Sequence, residues 1–193
     1  MFARAPFFAD LPAPTPAVRL RAETAADEAA REALLDAAMG PNRRRKSSEA
    51  IRRDRLPAEG LSLVAESDAG ELLGTVRLWN VAAGARSGEP VPALLLGPLV
   101  VSSCCEGLGI GSALMRRAVA ESRWRGHAAI VLVGDAPFYE RFGFGADMAA
   151  DLVMPGPFER HRLLGLALRD GALAGAAGLI VPTGLPASRA LAA

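Results

Sequence analysis

The stretch Leu99-Val100-Val101-Ser102-Ser103-Cys104-Cys105-Glu106-Gly107-Leu108-Gly109-Ile110-Gly111-Ser112-Ala113-Leu114 decides the reading of this chain. An apolar run passes through a glycine-rich turn into a segment of helical periodicity: Ile110, Leu114, Met115, Ala118, Val119 and Ser122 recur until Gly126. A buried strand that feeds a helix in this way brings successive amide N–H groups and the positive helix end to one point, where a pyrophosphate binds well. Gly-rich turns before helices also serve plain packing, so the stretch alone leaves both readings open.

Upstream, Ala93 to Val101 is almost wholly apolar, as a central strand covered on both faces should be. Pro98 within it cannot complete a hydrogen-bond ladder, so a break in that strand is expected. Downstream, Ala128 to Val133 reads as a second buried strand and Ala136 to Phe142 as a short helix. Two neighbouring strands that each hand over to a helix on the same side leave a cleft between their carboxyl ends. Tyr139, the only tyrosine, falls at that cleft. A phenol there can donate a proton to a leaving thiolate, whereas Phe138, Phe142 and Phe144 read as packing.

The remaining elements are coarser. Val18 to Arg21 alternates like a half-buried strand. Thr24 and Asp27 form a capping-box pattern ahead of a helix whose apolar repeat is Ala26, Ala29, Ala30, Ala33, Leu34 and Ala37, stopped by Gly40. A second helix is expected from Ser48 to Arg55, a hairpin from Leu61 to Glu66 and Leu72 to Trp79, turn chemistry from Asn80 to Pro92, and a last strand from Arg162 to Leu168. The order predicts one mixed α/β domain. An extended Pro-rich arm is expected over residues 1–16, the domain over 17–181 and a tail over 182–193.

Composition excludes several classes. Hydrophobic residues make up 51% and charged residues 22% of 193, which is the globular norm and not the signature of disorder. Lys+Arg 22 against Asp+Glu 21 gives no global field for nucleic acid or anionic membrane. No signal peptide or membrane-spanning run is evident, and Cys104 and Cys105, being adjacent, offer neither a disulfide framework nor a spaced metal pair. A reducing, cytoplasmic setting and no metal are therefore expected. A Rossmann site would need a third glycine where Ser112 stands, and a phosphate loop of nucleoside triphosphatases would need a lysine that the turn lacks. The segment from Arg43 to Arg55 carries seven basic residues against Glu49 and Asp54. With no aromatic residues beside them, a cleft wall is favoured over a nucleic-acid surface.

In order and spacing the two glycine-containing segments resemble the GNAT superfamily of acyl-coenzyme A dependent N-acyltransferases. Its Gln/Arg-x-x-Gly-x-Gly/Ala pattern falls on Glu106, Gly109 and Gly111, and its aromatic segment ending in Gly-Phe falls on Phe138-Tyr139 to Gly143-Phe144. Looser similarity, from Gly40-Pro41 through Pro155-Gly156-Pro157 to Gly171-Ala172-Leu173, extends the resemblance to the bacterial YhbS-like group over residues 17–181.

The resemblance implies a mixed central sheet with a splayed central strand, flanked by helices. It implies acetyl-coenzyme A as cosubstrate and transfer of its acetyl group to a primary amine of a small molecule or protein by direct attack. Leu99 and Val101 would offer backbone groups to pantetheine and the thioester carbonyl, with the Val101 amide polarising the carbonyl. The amides of Leu108, Gly109, Ile110, Gly111 and Ser112 would hold the pyrophosphate, and Tyr139 would protonate the thiolate. A base is not singled out among Glu66, Glu71, Glu89, Asp135 and His127, and a homodimer is left open.

The sequence departs from the pattern in two places. Glu106 puts a carboxylate, and Leu108 an apolar side chain, beside the expected diphosphate; many relatives carry Asn where this chain has Gly134-Asp135. The first departure motivates an alternative, a degenerate acyl-coenzyme A binding module without turnover.

Overall fold

The computed structural model describes residues 17–187. The arm expected over residues 1–16 lies outside the described residues, as do the last six of the tail. The sheet runs β1(Val18–Ala22), β2(Ser62–Ser67), β3(Leu72–Arg86), β4(Glu89–Val101), β5(Ala129–Val133) and β7(Leu163–Ala167) in spatial order. All neighbours are antiparallel except β4 and β5. The short β6(Leu152–Val153) and β8(Ala177–Pro182) lie off this path, and β8 pairs with the distal half of β3. The helices are α1(Glu28–Met39), α2(Ser47–Arg52), α3(Ile110–Trp124) and α4(Ala136–Tyr139).

Both faces of the middle strands are covered, as their unbroken apolar runs required. Leu94, Leu96, Ile130 and Leu132 point into the core beneath α3, with Leu114 and Met115. The alternate residues Leu95 and Val131 point into a second core with Ile51, Leu152, Leu163 and Ile180. Period-two alternation thus divides two adjacent strands between two cores.

Several expectations need correction. Asn80 to Pro92 is not turn chemistry: β3 and β4 continue past it as one long hairpin, and the turn is only Ser87-Gly88, both at positive φ. Small residues such as Ala82 and Ala83 hid a strand that is buried because β8 and the second core cover it. Nor is the strand after Arg162 the last; β8 follows, with Ile180 its only fully buried residue, so it shows no alternation to read. In α1 the alanine repeat faces solvent, while Arg31 and Leu35 are the buried residues. Arg31 bonds Glu23 and Glu32, and alanines bury too little area to compete with that ion network. The second helix begins at Ser47 and ends at Arg52, three residues early, ahead of Asp54 at φ 55. Past β8 the chain stays bonded: Thr183 N–H donates to Asn80 at 3.0 Å, and Leu56 N–H donates to Leu185 at 2.8 Å.

The amino-terminal elements are clamped to the sheet by charge. Arg21 grips both Asp27 oxygens at 2.7 Å and also bonds Glu66, and its guanidinium holds the Asp27 carboxyl well below the usual carboxylate range. The Asp27 carboxylate accepts from Thr24 N–H and Oγ1–H at 2.7 and 2.8 Å, so the capping pair forms as read. Among the described residues no helix is long and apolar enough to cross a membrane.

Strand β8 leaves no room for a side chain at Gly84, φ +62, where a Cβ would stand 2.1 Å from the Ala177 carbonyl oxygen. Gly84→Ala must therefore push β8 off β3, and a loss of about 1–3 kcal/mol is expected, as for other forced overpacking. Urea melts of the two proteins check this; a change within a few tenths would mean that the two strands do not lie so close.

Candidate active site

The site begins where β4 leaves β5. The two strands pair only at Leu94 with Ile130 and Leu95 with Val131. Beyond that point β4 stays with β3, but Gly97 and Pro98 stand together opposite Arg77 alone, so the strand bulges. Pro98 offers no N–H to either neighbour. After the bulge Ser102 N–H donates to Leu73 at 2.8 Å. Antiparallel alternation then turns the N–H and C=O groups of Val101 and Leu99 to the other edge, into the gap that β5 has left. The expected splay and its location are both present.

At the mouth of the gap stands the start of α3. Its cap, Gly109, lies in the left-handed region at φ 79, as does Gly107 at φ 80. A glycine cap has no side-chain oxygen, and no side-chain bond caps this 15-residue helix. The first helical bond across the cap is Ala113 N–H to Gly109 at 2.9 Å, leaving the amides of Gly109, Ile110, Gly111 and Ser112 without backbone acceptors among the described residues. The Leu108 amide reaches Cys105 at 3.4 Å. Leu108 is 46% exposed, and Glu106 is exposed on the same loop.

Across the gap lies Tyr139, at the end of α4. Its ring stands edge-on to Phe138, with centroids 4.9 Å apart, and to Phe144, 6.0 Å away. The ring lies so close to the end of β5 that a Cβ on Gly134 would come within 2.2 Å of it. Glycine at 134 is thus what lets the phenol settle over the strand end. Burial, and secondarily the Asp135 carboxylate, push the Tyr139 hydroxyl up to about 12. The hydroxyl makes no hydrogen bond among the described residues, and Tyr139 lines a cleft of about 380 Å³ together with Leu96, Pro98, Leu99 and Asp135.

Of the five candidate bases, only Asp135 lines this cleft, 3.1 Å from Arg162. Glu66 is tied to Arg19 and Arg21 at the far edge of the sheet. Glu89 starts β4 at the hairpin tip, Glu71 sits at the β2–β3 turn, and His127 lies at the opposite end of β5. Glu159, which the sequence did not single out, joins Asp135 in the cleft. Cys104 and Cys105 form a turn before the glycine loop with their sulfurs 3.4 Å apart. A hydrogen bond with Ser102 lowers the Cys104 pKa, and one with Cys104 raises that of Cys105. Neither lines the cleft.

A second cleft of about 460 Å³ adjoins the first, and Met39, Arg52 and Pro98 line both. The sequence pointed to a cleft wall over Arg43 to Arg55 but not to Arg77 or Trp79. Its walls are the α1 face with Glu28 and Glu32, the basic segment after α1, and Arg77 and Trp79 of β3, so the cleft-wall reading of Arg43 to Arg55 fits. The stacking aromatic that seemed missing is supplied from β3: the Arg52 guanidinium carbon lies 5.3 Å from the centre of the Trp79 ring.

Comparison with known proteins agrees with this geometry. Residues 58–145 match the acetyltransferase (GNAT) domain. The uncharacterized N-acetyltransferase YhbS of Escherichia coli K12 is 33% identical over 125 residues, covering 62% of this chain and 70% of that protein. The crystal structure of Escherichia coli YhbS in complex with CoA superposes with a TM-score of 0.74 at 28% identity, covering 88% of this chain and 92% of that one. A GNAT family acetyltransferase from Brucella melitensis in complex with acetyl-CoA gives a TM-score of 0.60 at 31% identity, with 79% and 89% covered. The chain belongs to the GNAT acetyltransferase family.

The lone tyrosine makes its environment measurable. Phenolate absorbance followed from pH 8 upward should show a midpoint near 12 and not the ordinary ~10. A raised pKa means that stability linked to this group is complete below ~10 and is lost as pH rises through the folded value. A midpoint near ~10 would place the hydroxyl in open water.

Proposed function

We propose that this chain transfers an acetyl group from acetyl-coenzyme A to a primary amine by direct attack, without a covalent enzyme intermediate. The observation that carries this reading is the conjunction of an uncapped helix end, a strand edge with free peptide groups and a shielded phenol around one gap. It is supported by the coenzyme A complexes of the two related structures.

The amides of Leu108, Gly109, Ile110, Gly111 and Ser112 would receive the pyrophosphate, where helix-end amides and the macrodipole favour negative charge. Pantetheine would lie along the free edge of β4 against Leu99 and Val101, as an extra strand would. The Val101 amide would face the thioester oxygen and stabilise the charge it gains as nitrogen attacks, a role of preorganised donors.

In the step itself the amine lone pair forms the C–N bond and the C–S pair leaves on sulfur. Tyr139 donates to that sulfur. A phenol near 12 is a weaker acid than a thiol near ~8.5, so full transfer from tyrosine alone runs uphill. The proton therefore crosses in concert with return to the phenol of the proton that the amine nitrogen sheds, giving amide and free thiol. The same high pKa keeps the hydroxyl protonated over the whole working range.

The degenerate-module reading rested on Glu106 and Leu108. Both side chains are exposed on the loop, and neither occupies the cleft. Acetyl-coenzyme A at ~100 times its dissociation constant should add ~2.7 kcal/mol of stability and raise the melting temperature. Glu106→Gln should tighten binding by about 1 kcal/mol by removing one screened repulsion. Titration calorimetry reads both; no heat at millimolar cofactor would remove the site.

Tyr139→Phe retains the ring and its packing, so folding and cofactor affinity should change little. Single-turnover acetyl transfer at saturating cofactor should fall ~10²-fold or more. Equal rates would return Tyr139 to the role of a packing residue.

A further inference from the structure

The second cleft contains a cation that its own surroundings do not satisfy. Arg52 is buried, with 9% of its surface exposed. Glu49 takes one guanidinium nitrogen, Nη2, at 2.9 Å. Nε is fully shielded and has no acceptor, and Nη1 makes no hydrogen bond among the described residues. The ring beneath it adds a second unsatisfied donor: Trp79 is 5% exposed and its Nε1–H is buried without an acceptor. A buried donor with no partner costs about 1–3 kcal/mol, and a charged one more. Two such donors 5.3 Å apart, guanidinium carbon to ring centre, are therefore not neutral packing.

The neighbouring cations are otherwise matched. Arg43 bonds Asp36 and Glu32, and Arg77 takes both oxygens of Glu23 at 2.8 Å. Arg52 is the one held by a single contact among these three, and burial together with the charges of Arg43 and Arg77 disfavours its protonated form against the pull of Glu49. Six arginines and four carboxylates line this cleft, and Asp36 and Glu23 neutralise Arg43 and Arg77 from behind, so the attraction for an anion is local to Arg52.

Position gives the anion a purpose. Arg52 and Pro98 line both clefts, and Pro98 is the bulge residue at which β4 parts from β5. A group held on Arg52 thus lies where the two clefts meet, beside the bulge that opens the edge of β4.

We propose that Arg52, seated against Trp79, forms the acceptor-recognition site, and that the acceptor is a small amine bearing a carboxylate, bound with its carboxylate on the Nη1 side of the guanidinium and its amine toward the splay. A carboxylate suits the site because it is planar, presents two acceptor oxygens and matches a guanidinium edge. A phosphate would carry more charge toward Glu49, which lines the same cleft. Arg52 and Trp79 are positioning residues that hold the amine in line, and the proposal rests on the acyl-transfer reading only for the chemical step after binding.

The probes are the standard amino acids, each paired with its α-carboxamide, which keeps the amine and removes the charge. Calorimetric titration into the coenzyme A-loaded protein reads binding, and thiol release from acetyl-coenzyme A reads turnover. Carboxylates should bind and react at least ~10-fold better than their amides, the scale of one charge-assisted hydrogen bond. Arg52→Met should raise KM for carboxylate acceptors ~10-fold or more while the carboxamides keep theirs. Trp79→Phe, which keeps a ring, should act in the same direction more weakly. The amino acid and amide pairs on the unmodified protein decide the matter should either variant fail to fold.

Carboxylate binding that Arg52→Met abolishes, with no acetylation of any amine, would sustain this site and sink the acyl-transfer reading. Amides acetylated as well as their parent acids would do the reverse. No binding of any carboxylate at millimolar concentration would mean that ordered water satisfies the two donors, and would overturn the site.

Discussion

Strand β4 cannot serve both of its neighbours along its whole length. At Leu94 and Leu95 it is bonded on both edges, to β3 and to β5. From Gly97 and Pro98 onward it keeps β3 and gives up β5, because a two-for-one bulge with a residue lacking an N–H breaks the ladder there. That parting exposes the Leu99 and Val101 peptide edge, sets the start of α3 apart from the end of β5, and leaves the gap over which Tyr139 closes. The sheet around it supplies rigidity: two cores clamp the middle strands from both faces, so the gap is fixed by the packing on either side of it.

Unmet hydrogen-bonding capacity gathers around the candidate site. Four amides at α3 lack acceptors, two peptide units of β4 face the gap, and Arg52 and Trp79 hold buried donors with nothing to receive them among the described residues. The pairs of Arg21 with Asp27 and of Arg31 and Arg77 with Glu23 are by contrast matched, although Arg77 itself reaches the wall of the second cleft. The placement of the two clefts, sharing Met39, Arg52 and Pro98, fits a two-substrate reaction in which each partner enters from its own side.

Electrostatics across the site are divided by sign. The glycine loop offers fixed backbone dipoles, and the wall after α1 offers full cationic charges. Asp135 and Glu159 are the acidic groups of the first cleft, and Arg162 stands against both at 3.1 and 3.7 Å. A phenol held at high pKa among these groups stays neutral, the state that the proposed transfer requires of it.

Local order was legible wherever the pattern was local. The run from Leu99 to Leu114 contains its strand, its left-handed glycines and its helix repeat within sixteen residues, so the loop and the expected amides could be named from it. Pro98 announced the break in β4, and Tyr139 stood out as the only phenol. What the sequence could not supply was anything that depends on a partner distant along the chain. The extension of β3 through Ala82 and Ala83 exists because β8, some hundred residues later, covers it. The buried face of α1 was set by Glu23 and Leu35 and not by its alanines. Glu159 reaches the cleft only by tertiary folding, and the basic segment lacked an aromatic until β3 placed Trp79 beneath Arg52. Periodicity and turn chemistry are written in neighbouring residues, whereas burial and ion pairing are properties of surfaces that meet only when the chain is folded.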